Sequence, residues 1–171
     1  MNESLENTLT TWHTEPQESA RRLIDHYGEP DEYSATQLIW HNTTDGWKRT
    51  ILVDEVVPHN FPAPHNDYLA QSIDYKVPLD MHSTLAAYDG SLTVERTKGE
   101  MSARCGGTSM NFVAVNLAHE IIIGERTIDD ARVEYARLYR LHQNGETHPY
   151  TEGFVFDLPT SDTKDSDVAI V

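Results

Sequence analysis

Apolar residues near the start of the chain recur at the spacing of an amphipathic helix. They run from Ala20 to Tyr27, and Gly28 ends the pattern. The letters TEPQ at 14–17 match a capping box with Thr14 as the N-cap. We therefore predict one amphipathic helix of about a dozen residues in this region.

Two further helical patterns follow one another in the second half of the chain. The segment 109–123, SMNFVAVNLAHEIII, is apolar nearly all round and follows Thr108, a suitable N-cap residue. A helix of that kind packs on more than one side. The next pattern begins after Thr127, with acidic residues in its first turn and basic residues in its last, as the helix dipole favours. Its predicted buried residues are Ile128, Ala131, Tyr135, Leu138 and Tyr139.

Between these helical regions, β-favouring residues and turn signals predict a hairpin. Its strands are TQLIWHN at 36–42 and WKRTILVDEVV at 47–57, with TTDG as the turn. Trp40 and Trp47 flank the turn. We expect either an aromatic contact across the two strands or an aromatic platform for a ligand.

The segment 91–105, SLTVERTKGEMSARC, predicts a second hairpin whose register decides where the only cysteine points. A two-residue turn at Lys98–Gly99 sets Leu92 opposite Cys105 and places the apolar side chains of both strands on one face. We therefore expect the thiol of Cys105 to point inward, against Leu92.

Prolines interrupt the pattern between the two hairpins. The segment 58–66, PHNFPAPHN, cannot pair as a central strand, and we predict a stiff surface loop. Three shorter elements complete the prediction: a strand at 72–77, one or two helical turns at 79–88, and a strand at 153–158.

Together these elements predict an α+β fold. We expect a single domain with an antiparallel sheet built from two hairpins, on which an N-terminal helix and a pair of consecutive helices pack. The strands pair locally, so a doubly wound sheet is not expected. We place the domain at 14–158, a polar N-terminal segment at 1–13, and an acidic, disordered C-terminal tail at 159–171.

The charge balance narrows the classes of partner. The chain has 28 acidic residues against 13 lysines and arginines, which gives a formal net charge of −15. A field of that sign repels phosphate backbones and anionic lipids, so we expect no nucleic-acid and no membrane binding. An acidic, lysine-poor surface indicates a salt-rich cytoplasm (halophilic adaptation), a face that meets a cationic partner, or both.

Hydrophobic segments for export or membrane insertion are missing from the sequence. No apolar run approaches the length of about 18 residues that a membrane helix needs. The N-terminal segment lacks the apolar centre of a secretory signal. A single cysteine cannot form an internal disulfide. We therefore expect a soluble cytoplasmic protein.

Motifs for nucleotide chemistry are also missing. The chain has no GxGxxG, no GxxxxGK[ST] and no GxSxG, so we expect no nucleotide cofactor.

Cys105 is one catalytic candidate, because it lies beside Arg104 and just before a predicted helix start, where a thiol can act as a nucleophile. Its predicted inward position favours the alternative, an inert core residue.

The proline-rich loop carries the residue types of a metal site. His59, His65 and Asp67 supply two imidazoles and one carboxylate, the ligand set of many catalytic zinc and iron sites. Their spacing matches no zinc motif, and loops also carry His, Asn and Asp because these residues make turns. A divalent metal is therefore a candidate cofactor, and a purely structural loop is the alternative.

His119 and Glu100 are the remaining catalytic candidates. His119 lies on the apolar helix, and a histidine near carboxylates can act as an acid or a base. Structural hydrogen bonding within the core is the alternative.

Since no catalytic motif stands out, we interpret the chain first as a non-enzymatic binding or interaction module for a small molecule or a protein partner. The first alternative is a small metal-dependent hydrolase that uses His59, His65 and Asp67. The second is a thiol enzyme that uses Cys105.

We predict that added salt stabilises the folded protein. Screening by cations weakens the repulsion among unpaired acidic groups, so the melting temperature should rise between millimolar and molar potassium chloride. Thermal unfolding followed by circular dichroism measures this change. A melting temperature that is the same over the whole range would contradict a salt-adapted surface.

Overall fold

The computed structural model describes residues 3–171 and confirms the α+β class. The strands are β1 Glu32–Tyr33, β2 Gln37–His41, β3 Arg49–His59, β4 His65–Asp74, β5 Leu92–Glu95 and β6 Glu100–Cys105. They form one antiparallel sheet in the order β1-β2-β3-β4-β6-β5. The helices are α1 Glu3–Leu9, α2 Thr14–Tyr27, α3 His82–Tyr88, α4 Thr108–Ile122, α5 Ile128–Gln143 and α6 Pro149–Glu152, with a 3-10 turn at Leu79–Met81. None of the helices in this part of the chain is long and apolar enough to cross a membrane.

The first predicted hairpin is confirmed and continues into a third strand. β2 pairs with β3 so that Leu38 lies opposite Leu52. β3 then returns as β4, which begins at His65, well before the predicted strand at 72–77. β4 consequently lies in the middle of the sheet, between β3 and β6.

The prediction of a surface loop over the whole of 58–66 was wrong at both ends of the segment. Pairing of β3 with β4 extends into it, so that His59 lies opposite His65 and 60–64 alone forms the loop. The pairing of β2 with β3 ends earlier along the chain, which leaves Pro58 on a stretch of β3 with one free edge. A proline is tolerated there because its missing N–H is not needed by a neighbouring strand.

The register of the second hairpin differs from the prediction by two residues. The turn spans 96–99 and sets Leu92 opposite Ala103 instead of Cys105. An even shift keeps the side chains on the predicted faces, so Cys105 is buried as expected. It lies beyond the end of β5, opposite Leu69 of β4.

The predicted capping box at the start of α2 was wrong. The N-cap is His13 rather than Thr14. The Gln17 side chain donates to the carbonyl oxygen of Leu9 at 2.6 Å, so it fastens α2 to the end of α1.

The predicted strand at 153–158 was also wrong, because this described segment has no strand pairing. Phe154 and Phe156 pack against the core from irregular chain that follows α6.

At the start of α5, by contrast, the predicted N-cap is confirmed: the Thr127 side chain accepts a hydrogen bond from the backbone N–H of Asp130.

Two separate apolar clusters form the core. One is built around α4, α5 and β6 and includes Trp47, and the other is built around α1, α2 and β2 and includes Trp40. The two tryptophans therefore form neither the expected cross-strand contact nor a shared platform. Leu5 and Leu9, within the segment 1–13, are buried in the second cluster. The domain limits proposed from the sequence stay a prediction.

The C-terminal tail contacts the turn between β5 and β6 through Gly99. Thr163 is buried, and its hydroxyl donates to the carbonyl oxygen of Gly99 at 2.8 Å. A Cβ added at Gly99 would overlap the backbone of Thr163. Gly145 offers a matched comparison, since both glycines have a positive φ, 63° and 77°, but a Cβ at Gly145 would meet open space.

We predict that Gly99→Ala lowers the free energy of unfolding more than Gly145→Ala does. The left-handed backbone costs either alanine about 1–2 kcal/mol, and only the change at Gly99 adds the overlap with the tail. Urea unfolding of both variants measures the difference. Equal losses of the free energy of unfolding in the two variants would contradict this prediction and would mean that the tail moves away from Gly99 at no measurable cost.

Candidate metal centre

The hairpin of β3 and β4 brings the predicted metal ligands together. His59 and His65 are directly opposite each other across the two strands, with ring centroids 5.0 Å apart. Asp67 follows His65 by two positions, so both side chains point to the same face of β4. The three side chains that the sequence placed in one loop therefore meet on one face at the end of the hairpin.

Their donor atoms have the spacing of a metal-binding cluster. His65 Nε2 lies 3.0 Å from Asp67 Oδ1, and His59 Nδ1 lies 3.3 Å from Asp67 Oδ2. One donor atom from each residue can be chosen so that all three lie within 4.8 Å of one another. Nitrogen and oxygen ligands of a tetrahedral zinc ion, with bonds near 2.0–2.1 Å, are about 3.3 Å apart. The cluster needs little movement to reach that geometry.

Asp67 is the most deeply buried of the three, with an exposed fraction of 0%. Its Oδ2 accepts a hydrogen bond from the Ser91 hydroxyl. Its Oδ1 is buried, and its charged neighbour is His65 Nε2 at 3.0 Å. A buried carboxylate needs a positive partner, and either a proton on His65 or a metal ion bound to Nε2 can supply that charge.

Neighbouring groups orient both imidazole rings. His65 Nδ1 lies 2.8 Å from the carbonyl oxygen of Ala63 and donates to it, which leaves Nε2 to face Asp67. A metal-ligating histidine commonly uses its second nitrogen in this way, because the hydrogen bond fixes the tautomer and the ring. His59 is held by the Ser91 hydroxyl, 3.3 Å from Nδ1, and by Asp89, 3.8 Å from Nε2.

The carboxylates around the two rings set the charge of the site. Hydrogen bonding to Asp67, and then to Cys105, raises the pKa of His65 to about 11. Burial alone would raise the pKa of Asp67, but hydrogen bonds from His65 and Ser91 outweigh it and lower that pKa. Burial raises the pKa of Asp89. In the metal-free protein a proton on His65 thus offsets the charge of Asp67, and a metal has to displace that proton.

Cys105 reaches the same site from β6. Its Sγ lies 3.4 Å from His65 Nε2, within hydrogen-bonding distance for sulfur. The predicted pairing of Cys105 with Leu92 was wrong, because the wider turn leaves Cys105 beyond the end of β5 and opposite Leu69 of β4. The imidazole partner comes from a different hairpin, so the sequence around the cysteine does not reveal it.

Cys105 and His65 form part of the wall of a cavity of about 730 Å³. The cavity lies between α2 and the helices α4 and α5. Its apolar wall includes Leu23, Leu69, Met110, Phe112 and Tyr139. A space of this size accommodates a small organic molecule, and it places such a molecule against the thiol and the imidazole.

The structure does not bring His119 and Glu100 to this site. Glu100 begins β6, at the opposite end from Cys105, and forms ion pairs with Lys48 at 2.9 Å and Arg49 at 2.8 Å. His119 lies toward the end of α4, where its Nδ1 is 2.7 Å from the Tyr75 hydroxyl. Both side chains have structural partners. Ser91 and Asp89, which sequence reasoning missed, do reach the site.

Comparison of the chain with protein-family models, curated proteins and solved structures found no match. The site is therefore interpreted from its own geometry. The interpretation as a non-enzymatic binding module stays a prediction.

We predict that His119 makes the protein less stable below neutral pH. Burial lowers the pKa of His119 from its ordinary value of 6.5, so the unfolded chain binds the proton more tightly than the folded one. The stability that neutral His119 contributes is complete above pH 6.5 and is lost as the pH falls through that value toward the folded pKa. Urea unfolding at several pH values should show a steeper loss for the wild type than for His119→Gln. Parallel pH profiles would contradict this account.

Proposed function

We propose that this protein is a metal-dependent hydrolase in which His59, His65 and Asp67 hold a divalent transition metal. The convergence of the three side chains carries the proposal, because one donor atom from each lies within 4.8 Å of the other two. Because Nδ1 of His65 donates to Ala63, Nε2 is the nitrogen that faces Asp67, and in the metal-free protein it carries the proton that offsets the carboxylate. When a metal displaces that proton, the Nε2 lone pair and the Asp67 oxygen can both bind the ion.

The donor set favours zinc or iron over magnesium and calcium. Imidazole nitrogen suits zinc, copper, iron and nickel, whereas the hard cations prefer a shell made of oxygen. Two histidines and one carboxylate also leave a position free for substrate, as catalytic zinc sites do. Such an ion supplies Lewis acidity toward a carbonyl or phosphoryl oxygen and activates water for hydrolysis.

The chain's own residues hold the ligands and receive the substrate. Ser91 fixes the Asp67 carboxylate, and Ala63 fixes the ring of His65. The cavity of about 730 Å³ reaches the site at His65 and Cys105. A substrate held there has its apolar part among α2, α4 and α5 and its reacting group at the imidazole.

A thiol enzyme is the second candidate, and the contact between Cys105 Sγ and His65 Nε2 favours it. In this mechanism the proton between Cys105 and His65 lies on His65, the sulfur forms a bond to a substrate carbonyl carbon, and His65 donates the proton to the leaving group as its bond to that carbon breaks. Water then releases the acyl group from sulfur. Both candidates use the same nitrogen of His65, so a bound metal and a free nucleophile exclude each other.

Metal binding by the full chain tests the first candidate. Chelator-treated protein should bind one equivalent of Zn²⁺ with micromolar affinity or better in isothermal titration calorimetry, and its melting temperature should rise with the ion. His65→Ala and Asp67→Asn should abolish this binding. His41→Ala is the control, because His41 is exposed and pairs with Glu32 away from the site, so it should bind Zn²⁺ like the wild type.

The outcomes separate the two candidates. Folded wild-type protein that binds no zinc, iron or other transition metal at micromolar concentration contradicts the metal centre. Ester hydrolysis that survives chelation but is lost in Cys105→Ala would identify the thiol enzyme instead. Hydrolysis that is lost on chelation and restored by Zn²⁺ supports the metal-dependent hydrolase.

A further inference from the structure

We propose that Cys105 is a fourth ligand of the metal and closes its coordination sphere on the side of the cavity. This inference rests on the metal centre proposed above and adds a sulfur donor to it. It assigns the thiol a role different from both an inert core residue and a nucleophile.

The register of the sheet places the four donors on one face at the ends of three neighbouring strands. Cys105 lies directly opposite Leu69, and Asp67 precedes Leu69 by two positions. Residues that face each other across two strands share a face, and so do alternate residues along one strand. His59 reaches the same face through its pairing with His65. The convergence is therefore a property of the backbone and does not depend on chance side-chain rotamers.

The distances around His65 Nε2 are those between ligands of one ion. Asp67 Oδ1 lies 3.0 Å and Cys105 Sγ 3.4 Å from this nitrogen. In a tetrahedral zinc site, with Zn–N near 2.0–2.1 Å and Zn–S near 2.3 Å, a nitrogen and a sulfur ligand are about 3.5 Å apart. Cys105 thereby adds a sulfur atom, at His65, to the three-residue group whose donor atoms lie within 4.8 Å of one another.

A second observation separates this arrangement from a cysteine that is merely buried. His59, His65 and Asp67 already present donor atoms within 4.8 Å of one another, and Cys105 contacts one of these donors, His65 Nε2. A core thiol beside a histidine does not account for a buried carboxylate and a second imidazole at the same place. A cation shared by the oxygen, the nitrogen and the sulfur accounts for all three.

A sulfur ligand changes which metal the site prefers and whether a coordination position is left open for a substrate. Thiolate ligands favour zinc over the hard cations magnesium and calcium. Four protein ligands make a closed site, whereas catalysis requires an open position. Cys105 and His65 both line the cavity, and Cys105 is the one that a substrate would displace, since the metal then keeps the three ligands of the proposed centre.

Cobalt spectroscopy tests the assignment with a readout that does not depend on activity. Co²⁺ added to chelator-treated wild-type protein should give visible bands typical of tetrahedral coordination together with a thiolate-to-cobalt charge-transfer band in the near ultraviolet. Cys105 is the only cysteine, so that band has a single source within the chain. Cys105→Ser should lose the charge-transfer band and still bind Co²⁺, with weaker affinity, through the remaining three ligands.

Three outcomes would overturn the assignment. Wild-type protein that binds Co²⁺ without the charge-transfer band removes Cys105 from the ligand set and leaves the three-ligand centre standing. A band whose absorbance per chain rises with protein concentration would come from a metal bridging two chains. Wild-type protein that binds no Co²⁺ and no Zn²⁺ removes the proposed function as well. The wild-type spectrum alone decides the first case, even if Cys105→Ser does not fold.

Discussion

The pairing of β4 with β3 on one side and with β6 on the other positions every donor of the candidate site. One pairing sets His59 opposite His65, and the other sets Cys105 opposite Leu69. A shift of either register by one residue would turn a donor to the opposite face of the sheet. The chemistry proposed here therefore depends on backbone hydrogen bonds more than on the loop at 60–64.

Much of the fold could be predicted because periodicity is a local signal. The apolar spacing before Gly28 and the residues around Thr127 identified α2 and α5, and the first hairpin followed from its turn. The errors lie where tertiary contacts override local preference. The Gln17 side chain serves the end of α1 rather than its own helix. Phe154 and Phe156, in the segment 153–158, are partly buried against the core and do not join the sheet.

The candidate site could be predicted only in part. The residue types at 59–67 indicated a metal, since two imidazoles and a carboxylate in a short segment are rare enough to notice. The contact of Cys105 with His65 depends on the pairing of two strands that are not neighbours in the sequence, and no local pattern specifies it. Ser91 and Asp89 were missed for the same reason, because the turn that carries them reaches the site only in the folded protein.

The two apolar clusters also bear on how a molecule enters the site. The cavity is bounded by Leu23 and Leu69 from one cluster and by Met110 and Phe112 from the other, so it follows the seam where the two clusters meet. Each cluster packs within itself. A molecule in the cavity therefore contacts both clusters at their boundary, and widening the cavity there would separate α2 from α4 between the two clusters rather than inside either one.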